Sequence, residues 1–235
     1  MKIRKLIKER LFMSTRKPYV TYTLLGIQIV LFILMTFMGG SESSTTLLLF
    51  GAKFNPLIAA GQYWRLITPI FLHIGVVHLL INSITLYYLG SMTENILGHW
   101  RYLVIYLSAG VMGNLFSYQF SQNISAGAST ALFGLFAVFL ALRNLFPRNH
   151  YIQNIGSQYL MLVGINLVFG FLGSGIDIWG HIGGLVGGFL ITMTLLQGEG
   201  QDKRWAQRIG SAVSYIVIAI FILVNHGMFN TLFGG

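Results

Sequence analysis

Ser125-Ala126-Gly127-Ala128-Ser129-Thr130-Ala131-Leu132-Phe133-Gly134 opens an apolar run that continues from Ala131 to Leu142. In a soluble helix, a serine at such a boundary is an ordinary cap. In a helix that crosses a membrane it sits near one surface, and Gly127 and Ala128 let another backbone come within contact of Ser129. The amides of a first helical turn have no internal partners. Unpaired N–H groups beside a hydroxyl suit a nucleophile that creates a negative oxygen. The stretch alone leaves both readings open, and the rest of the chain separates them.

The chain is 54% hydrophobic and 9% charged, with 28 glycines, against about 25% charged residues in an ordinary soluble domain. The class these values define is an all-α polytopic membrane helix bundle. There is no cysteine, so disulfides and thiolate metal sites are excluded. The net charge is +9, but in a membrane protein the placement of charge matters more than its sum, and no nucleic-acid partner is implied. Apolar segments fall at 20–38, 75–92, 102–119, 127–144, 157–173, 179–196 and 212–232. Most are near the length of about 20 residues needed to span a bilayer. Pro18, Pro56, Pro69 and Pro147 all lie outside them, as helix interiors require. The expected division is a cytoplasmic basic segment (1–19), a six-helix core (20–196), a cytoplasmic linker (197–211) and an additional seventh transmembrane helix (212–235). In the first of these, Ile3, Leu6, Ile7 and Leu11 recur at helical spacing among basic residues, the pattern of an amphipathic helix on an anionic leaflet. The first apolar run lacks an A-x-A cleavage site and is too long for a signal peptide, so it is read as a retained helix.

Orientation follows from Lys and Arg. With the N-terminus inside, thirteen of the fifteen basic residues fall on the inner side: Lys2, Arg4, Lys5, Lys8, Arg10, Arg16, Lys17, Arg101, Arg143, Arg148, Lys203, Arg204 and Arg208. Only Lys53 and Arg65 fall outside. The expected location is a cell membrane, with the N-terminus cytoplasmic. The one long connection, Gly39 to Ile74, contains the aromatic stretch Tyr63-Trp64-Arg65. Trp, Tyr and Arg favour the headgroup region, so this loop is expected in the outer leaflet, against the bundle.

Polar groups interrupt the spans. His78 and Asn82 are four apart on one helical face of the second span, and His73 precedes them near its outer end. Such groups are costly in hydrocarbon and either hydrogen-bond between helices or serve function. The sixth span opens Asp177-Ile178-Trp179-Gly180-His181, and Gly180, Gly184 and Gly188 form a ridge every four residues, widened by Gly183 and Gly187. Pairing that ridge with the small residues Ala128, Ala131 and Ala137 of the fourth span brings His181 beside Ser129. Asp177 is read as an N-cap or a loop charge. Spans two, four and six all run from outside to inside, so Ser129, His181, His73 and His78 share one depth below the outer surface.

Taken together, these residues resemble the rhomboid family of intramembrane serine proteases from about Trp64 to Thr194. Trp64-Arg65 matches a Trp-Arg in the first outer loop. His73, His78 and Asn82 match His-x4-His-x3-Asn, and Gly90 with Glu94 matches Gly-x3-Glu. Gly127-Ala128-Ser129 matches Gly-x-Ser, followed by Phe133-Gly134, and Gly180-His181 with Gly184 matches Ala/Gly-His-x2-Gly. The resemblance implies that Ser129 is the nucleophile and His181 its general base, without a carboxylate. It implies that His78, Asn82 and the Ser129 amide bind the oxyanion, and that Gly127 lines the substrate groove. Trp64, Arg65, His73, Glu94 and Gly184 are then structural. Thr130 departs from the small residue usual after the serine, and its β-branch is expected to narrow the groove or alter specificity while leaving the dyad intact. Neither a metal nor any other cofactor is implied. The implied partners are transmembrane protein substrates and membrane lipid, with a site open to the extracytoplasmic side.

A serine hydroxyl is a poor nucleophile until an adjacent base takes its proton, which His181 can do only as the neutral imidazole. Three other readings compete. A membrane haem or metal protein would use His73, His78 and His181, but it leaves Ser129 and Asn82 without a task. A non-catalytic relative that binds membrane clients would not need both Ser129 and His181. A transporter would place its polar residues at the midplane rather than near one face.

Overall fold

Each apolar stretch folds as a helix, because in lipid a backbone must satisfy its own hydrogen bonds. The structure, a computed structural model, describes residues 17–173, 175–198 and 205–233, with side chains to residue 225. The basic helix expected within residues 1–17 and the linker residues 199–204 lie outside the described residues, apart from Lys17. In chain order the helices are α1 (Tyr19–Phe37), α2 (Ser44–Phe50), α3 (Asn55–Ala59), α4 (Val76–Leu97), α5 (His99–Phe120), α6 (Ser129–Leu145), α7 (His150–Leu172), α8 (Ile178–Leu195) and α9 (Trp205–Phe233). Two 3₁₀ turns, Tyr63–Leu66 and Thr68–Phe71, precede α4, and a π-helical turn at Leu86–Gly90 interrupts it. Six of these helices are long and apolar enough to cross a membrane, and α6 is shorter at 17 residues. All seven expected spans are therefore helical, and the one that begins with Ser129 is the shortest, near the lower limit for crossing.

The helix ends follow from local chemistry. Asn149 caps α7 and Asp177 caps α8, their side chains accepting from Ile152 N and Gly180 N. No side chain within its own segment caps α1. Its first-turn amides instead meet Glu94, far along the chain. The Glu94 carboxylate accepts from Val20 N at 3.0 Å, from Thr21 N at 2.8 Å and from the Thr21 hydroxyl at 2.7 Å. It also faces His99 Nδ1. A buried carboxylate on the positive end of a helix is thus hydrogen-bonded on both oxygens, and it pins α1 to the C-terminal end of α4.

Helices α5, α6 and α8 form the centre. A methyl added at Gly134 of α6 would lie 2.1 Å from Ala109 Cβ of α5 and 3.2 Å from the Gly184 carbonyl of α8. The three helices cross at that residue. The glycines of α8 divide between two neighbours. Gly184 rests on the Thr130 carbonyl, 2.0 Å from where a methyl would stand, and Gly188 rests on the Gly134 backbone, both in α6. Gly183 and Gly187 instead face Met112 of α5, with Phe116 also against Gly183. So Gly183 and Gly187 do not widen one ridge; they make a second one. The α6 face that meets α8 carries Thr130 and Gly134, whereas Ala131 turns toward Gly110 of α5.

The loop between α1 and α4 is bound down along its length. The Arg65 guanidinium donates from Nη1 to the carbonyls of Leu48 and Ala52, both at 3.0 Å, and from Nε to Gln62 Oε1 at 2.7 Å. Asn114 of α5 donates to the Leu66 carbonyl at 2.9 Å. Lys53, with 0% of its surface exposed, donates from Nζ to the carbonyls of Ser121 (2.6 Å) and Asn123 (3.0 Å). The Trp64 ring is exposed. Its structural part is played by its carbonyl, which accepts from Ile67 N and the Thr68 hydroxyl.

Candidate active site

Ser129 begins α6 and His181 lies in the first turn of α8. The glycine seam brings those two helix starts together, and Ser129 Oγ lies 2.9 Å from His181 Nε2. That is hydrogen-bond distance for a nucleophile and its base. The far nitrogen, His181 Nδ1, is buried with no hydrogen-bond partner among the described residues. A third group does not orient the imidazole through a hydrogen bond. Its plane is held instead by Phe133, one turn below Ser129, whose ring stacks on it at 4.2 Å and 11°. Phe133 stands in the sequence motif, but the motif says nothing of its contact with His181. The i to i+4 spacing from the serine is the signal that could have found it.

The Asp177 side chain makes its hydrogen bonds elsewhere than at His181. It accepts from the Ser125 hydroxyl at 2.6 Å and from Gly180 N at 3.0 Å, so it is a cap and both carboxylate oxygens are occupied. Sequence reasoning alone misses Ser125 and Lys53 as neighbours of the site. Lys53 pairs with Ser125 through both backbone bonds (2.9 and 3.1 Å). Burial lowers the Lys53 pKa to about 8, a shift that the charge of Asp177 opposes.

The segment before Ser129 is shaped by the loop between α1 and α4. Gly127 N donates to the Pro69 carbonyl at 2.9 Å, and Ala128 N donates to His73 Nε2 at 3.4 Å. His73 has 0% exposure, and burial together with neighbouring His78 lowers its pKa to about 3. It is therefore neutral, as an acceptor at Nε2 must be. Gly127 has φ +154°, and a methyl there would lie 2.7 Å from His78 Cε1, 3.0 Å from His78 Nε2 and 3.5 Å from Ser129 Oγ. The His78 imidazole thus closes over Gly127 beside the serine, and only glycine fits between them. The rings of His73 and His78 meet edge to face at 5.3 Å.

Asn82 is buried one turn below His78, and its amide Nδ2 donates to the His78 carbonyl at 2.8 Å, leaving Oδ1 without a partner. One N–H of that amide is spent within its own helix. Thr130 corrects an expectation. Its side chain is 3% exposed and packs against Gly113 of α5 and Gly180 of α8. The β-branch fills the seam between helices and does not narrow an open groove. Among the described residues, no group of three or more His, Cys, Asp or Glu is placed to hold a metal ion. His73 and His181 each direct Nε2 to a protein neighbour.

An apolar helix bundle with a serine and a histidine paired at two helix starts defines a class of multi-pass membrane protein with hydrolase-like side-chain geometry. The Rhomboid domain family model matches residues 60–198, and the chain belongs to the rhomboid family. It is 44% identical over 209 residues to the rhomboid protease GluP of Bacillus subtilis (strain 168), covering 88% of this chain and 40% of that protein. It is 37% identical over 190 residues to rhomboid-like protease 2 of Toxoplasma gondii, covering 76% of this chain and 66% of that protein. The chain therefore spans less than half the length of GluP.

Proposed function

We propose that this protein is an intramembrane serine endopeptidase that hydrolyses peptide bonds in or near the transmembrane segments of other membrane proteins. The observation that carries the reading is the 2.9 Å contact between Ser129 Oγ and His181 Nε2; membership of a family whose relatives bear the name protease supports it. Neutral His181 takes the hydroxyl proton as Ser129 Oγ attacks the scissile carbonyl. The resulting oxyanion is met by the Ser129 amide, by His78 and by the free N–H of Asn82. Each well-placed donor is worth roughly 3 kcal/mol. His181 then returns the proton to the leaving amine, and water, activated by the same imidazole, releases the acyl group. The missing side chain of Gly127 lets the His78 imidazole stand beside Ser129 at the edge of the substrate groove. A substrate helix hides its carbonyls in its own bonds, so small or helix-breaking residues near the cut favour cleavage.

The basic residues favour a cell-membrane topology with the N-terminus inside and the site opening outward. The test is chemical. A fluorophosphonate applied to the purified protein should label it once, at Ser129, with the adduct mapped by mass spectrometry. Labelling should vanish in Ser129→Ala and fall sharply in His181→Ala. An adduct on another serine, or equal labelling without His181, would overturn the protease reading in favour of a client-binding role.

A further inference from the structure

The segments that carry the dyad touch twice. Ser129 meets His181, and one turn earlier in each segment Ser125 meets Asp177. Both pairs join the same two stretches at the same offset of 52 residues. We propose that Ser125 and Asp177 are positioning residues that clamp the two helix starts together and thereby set the reach of His181 to Ser129; this rests on the dyad reading above.

The geometry is specific. Asp177 Oδ1 holds the Gly180 amide, which fixes the carboxylate to the first turn of α8, and Oδ2 holds the Ser125 hydroxyl. Ser125 cannot drift, because both its backbone groups pair with Lys53. Lys53 is in turn tied by its ammonium to the carbonyls of Ser121 and Asn123, at the end of α5. The clamp is therefore anchored to the α1–α4 loop and to the central bundle at once. His181 has need of it. Among the described residues its Nδ1 has no partner, so beyond the Phe133 stack and the Ser129 contact itself the placement of α8 aims the ring. A misplacement of about 1 Å, even one caused far from the chemistry, can cost on the order of 100-fold in rate. Asp177 acts here through its hydrogen bonds to Ser125 and Gly180 and not through one to the imidazole, which separates it from the acid of a catalytic triad.

The test uses the full chain reconstituted in liposomes with a reporter transmembrane segment. Ser125→Ala and Asp177→Ala should each lower kcat by roughly 10- to 100-fold with KM within about threefold. The double variant should be no worse than the poorer single one, because both remove one interaction. Asp177→Asn keeps an acceptor for Gly180 N and a polar partner for Ser125, so it should restore kcat to within about threefold of the parent. The endpoint of fluorophosphonate labelling counts folded sites and the labelling rate reads their alignment, so misfolding is told apart from misplacement. Should Asp177→Asn fall as far as Asp177→Ala, by up to about 10⁴-fold, the charge matters and a triad replaces the clamp. Multiplicative losses in the double variant, or parent kcat in both alanine variants, also overturn the clamp while Ser129→Ala stays inert. Cleavage that survives in Ser129→Ala overturns the dyad reading itself, and the clamp with it.

Discussion

At the scale of the residue, the site is held by packing as much as by hydrogen bonds. His181 stacks on Phe133 at 4.2 Å and has no partner at Nδ1. Replacing Phe133 with Leu keeps bulk and removes the flat surface; kcat should fall by about 10-fold with KM nearly constant, and Phe133→Tyr should recover it. Steady-state cleavage of the reporter reads both values, and an unchanged kcat in Phe133→Leu would assign the ring a packing role only. In the proposed mechanism His78 and Asn82 act on a charge absent from the ground state. His78→Ala and Asn82→Ala should therefore lower kcat more than they weaken substrate binding, each by roughly 10- to 1,000-fold. Full turnover in both would leave them as packing residues, a role already visible in the bond from Asn82 to the His78 carbonyl.

Between elements, the seam of α8 with α6 and α5 decides whether the dyad forms. A methyl at Gly184 would sit 2.0 Å from the Thr130 carbonyl oxygen, a backbone atom with no freedom to yield. Gly184→Ala should destabilise the fold by roughly 1–3 kcal/mol or more and abolish labelling at Ser129. Gly164→Ala, on a part of α7 with nothing within 4 Å of the added methyl, should be silent. Thermal unfolding and the labelling rate check both, and a silent Gly184→Ala would mean that the seam opens without cost. This seam was legible in the sequence, because a four-residue glycine period on an apolar helix has few other uses. The partner face was harder to read. Alanines at 128, 131 and 137 look equivalent to Thr130 on size alone, yet the helical phase turns Ala131 to α5 and brings Thr130 and Gly134 to α8. The spans, Ser129 and His181 were readable because apolar length and intramembrane polarity are local signals. Lys53, Ser125 and the bracing of residues 125–128 were not, since those contacts join segments far apart in sequence and no periodicity announces them. Glu94 is the intermediate case: a buried acid at a span's end is conspicuous, but not the helix it caps.

For the whole molecule, the two basic residues expected on the outer side prove to be buried structural parts. Lys53 and Arg65 spend their charge on backbone carbonyls, so neither offers a free cation to a surface, and the asymmetry behind the proposed orientation is sharper than the bare count. Tags at residue 1 and beside Lys203 should be protected in sealed cells, and a tag after Gly235 should be accessible to protease. An accessible Lys203 tag would invert the map. The short α6 has a further consequence. Seventeen residues span about 25 Å, less than the roughly 30 Å hydrocarbon core, so Ser129 is fixed relative to the protein rather than to the lipid surface. If Ser129 cuts substrate as proposed, the protein works as a ruler whose zero mark is the membrane boundary. In long-chain phosphatidylcholine that boundary moves away from Ser129, and the bond presented to it lies farther along the substrate helix, by one residue for each ~1.5 Å. Mass spectrometry of products from short- and long-chain liposomes should show the cut migrating inward as the bilayer thickens, so that lipid composition itself selects the product.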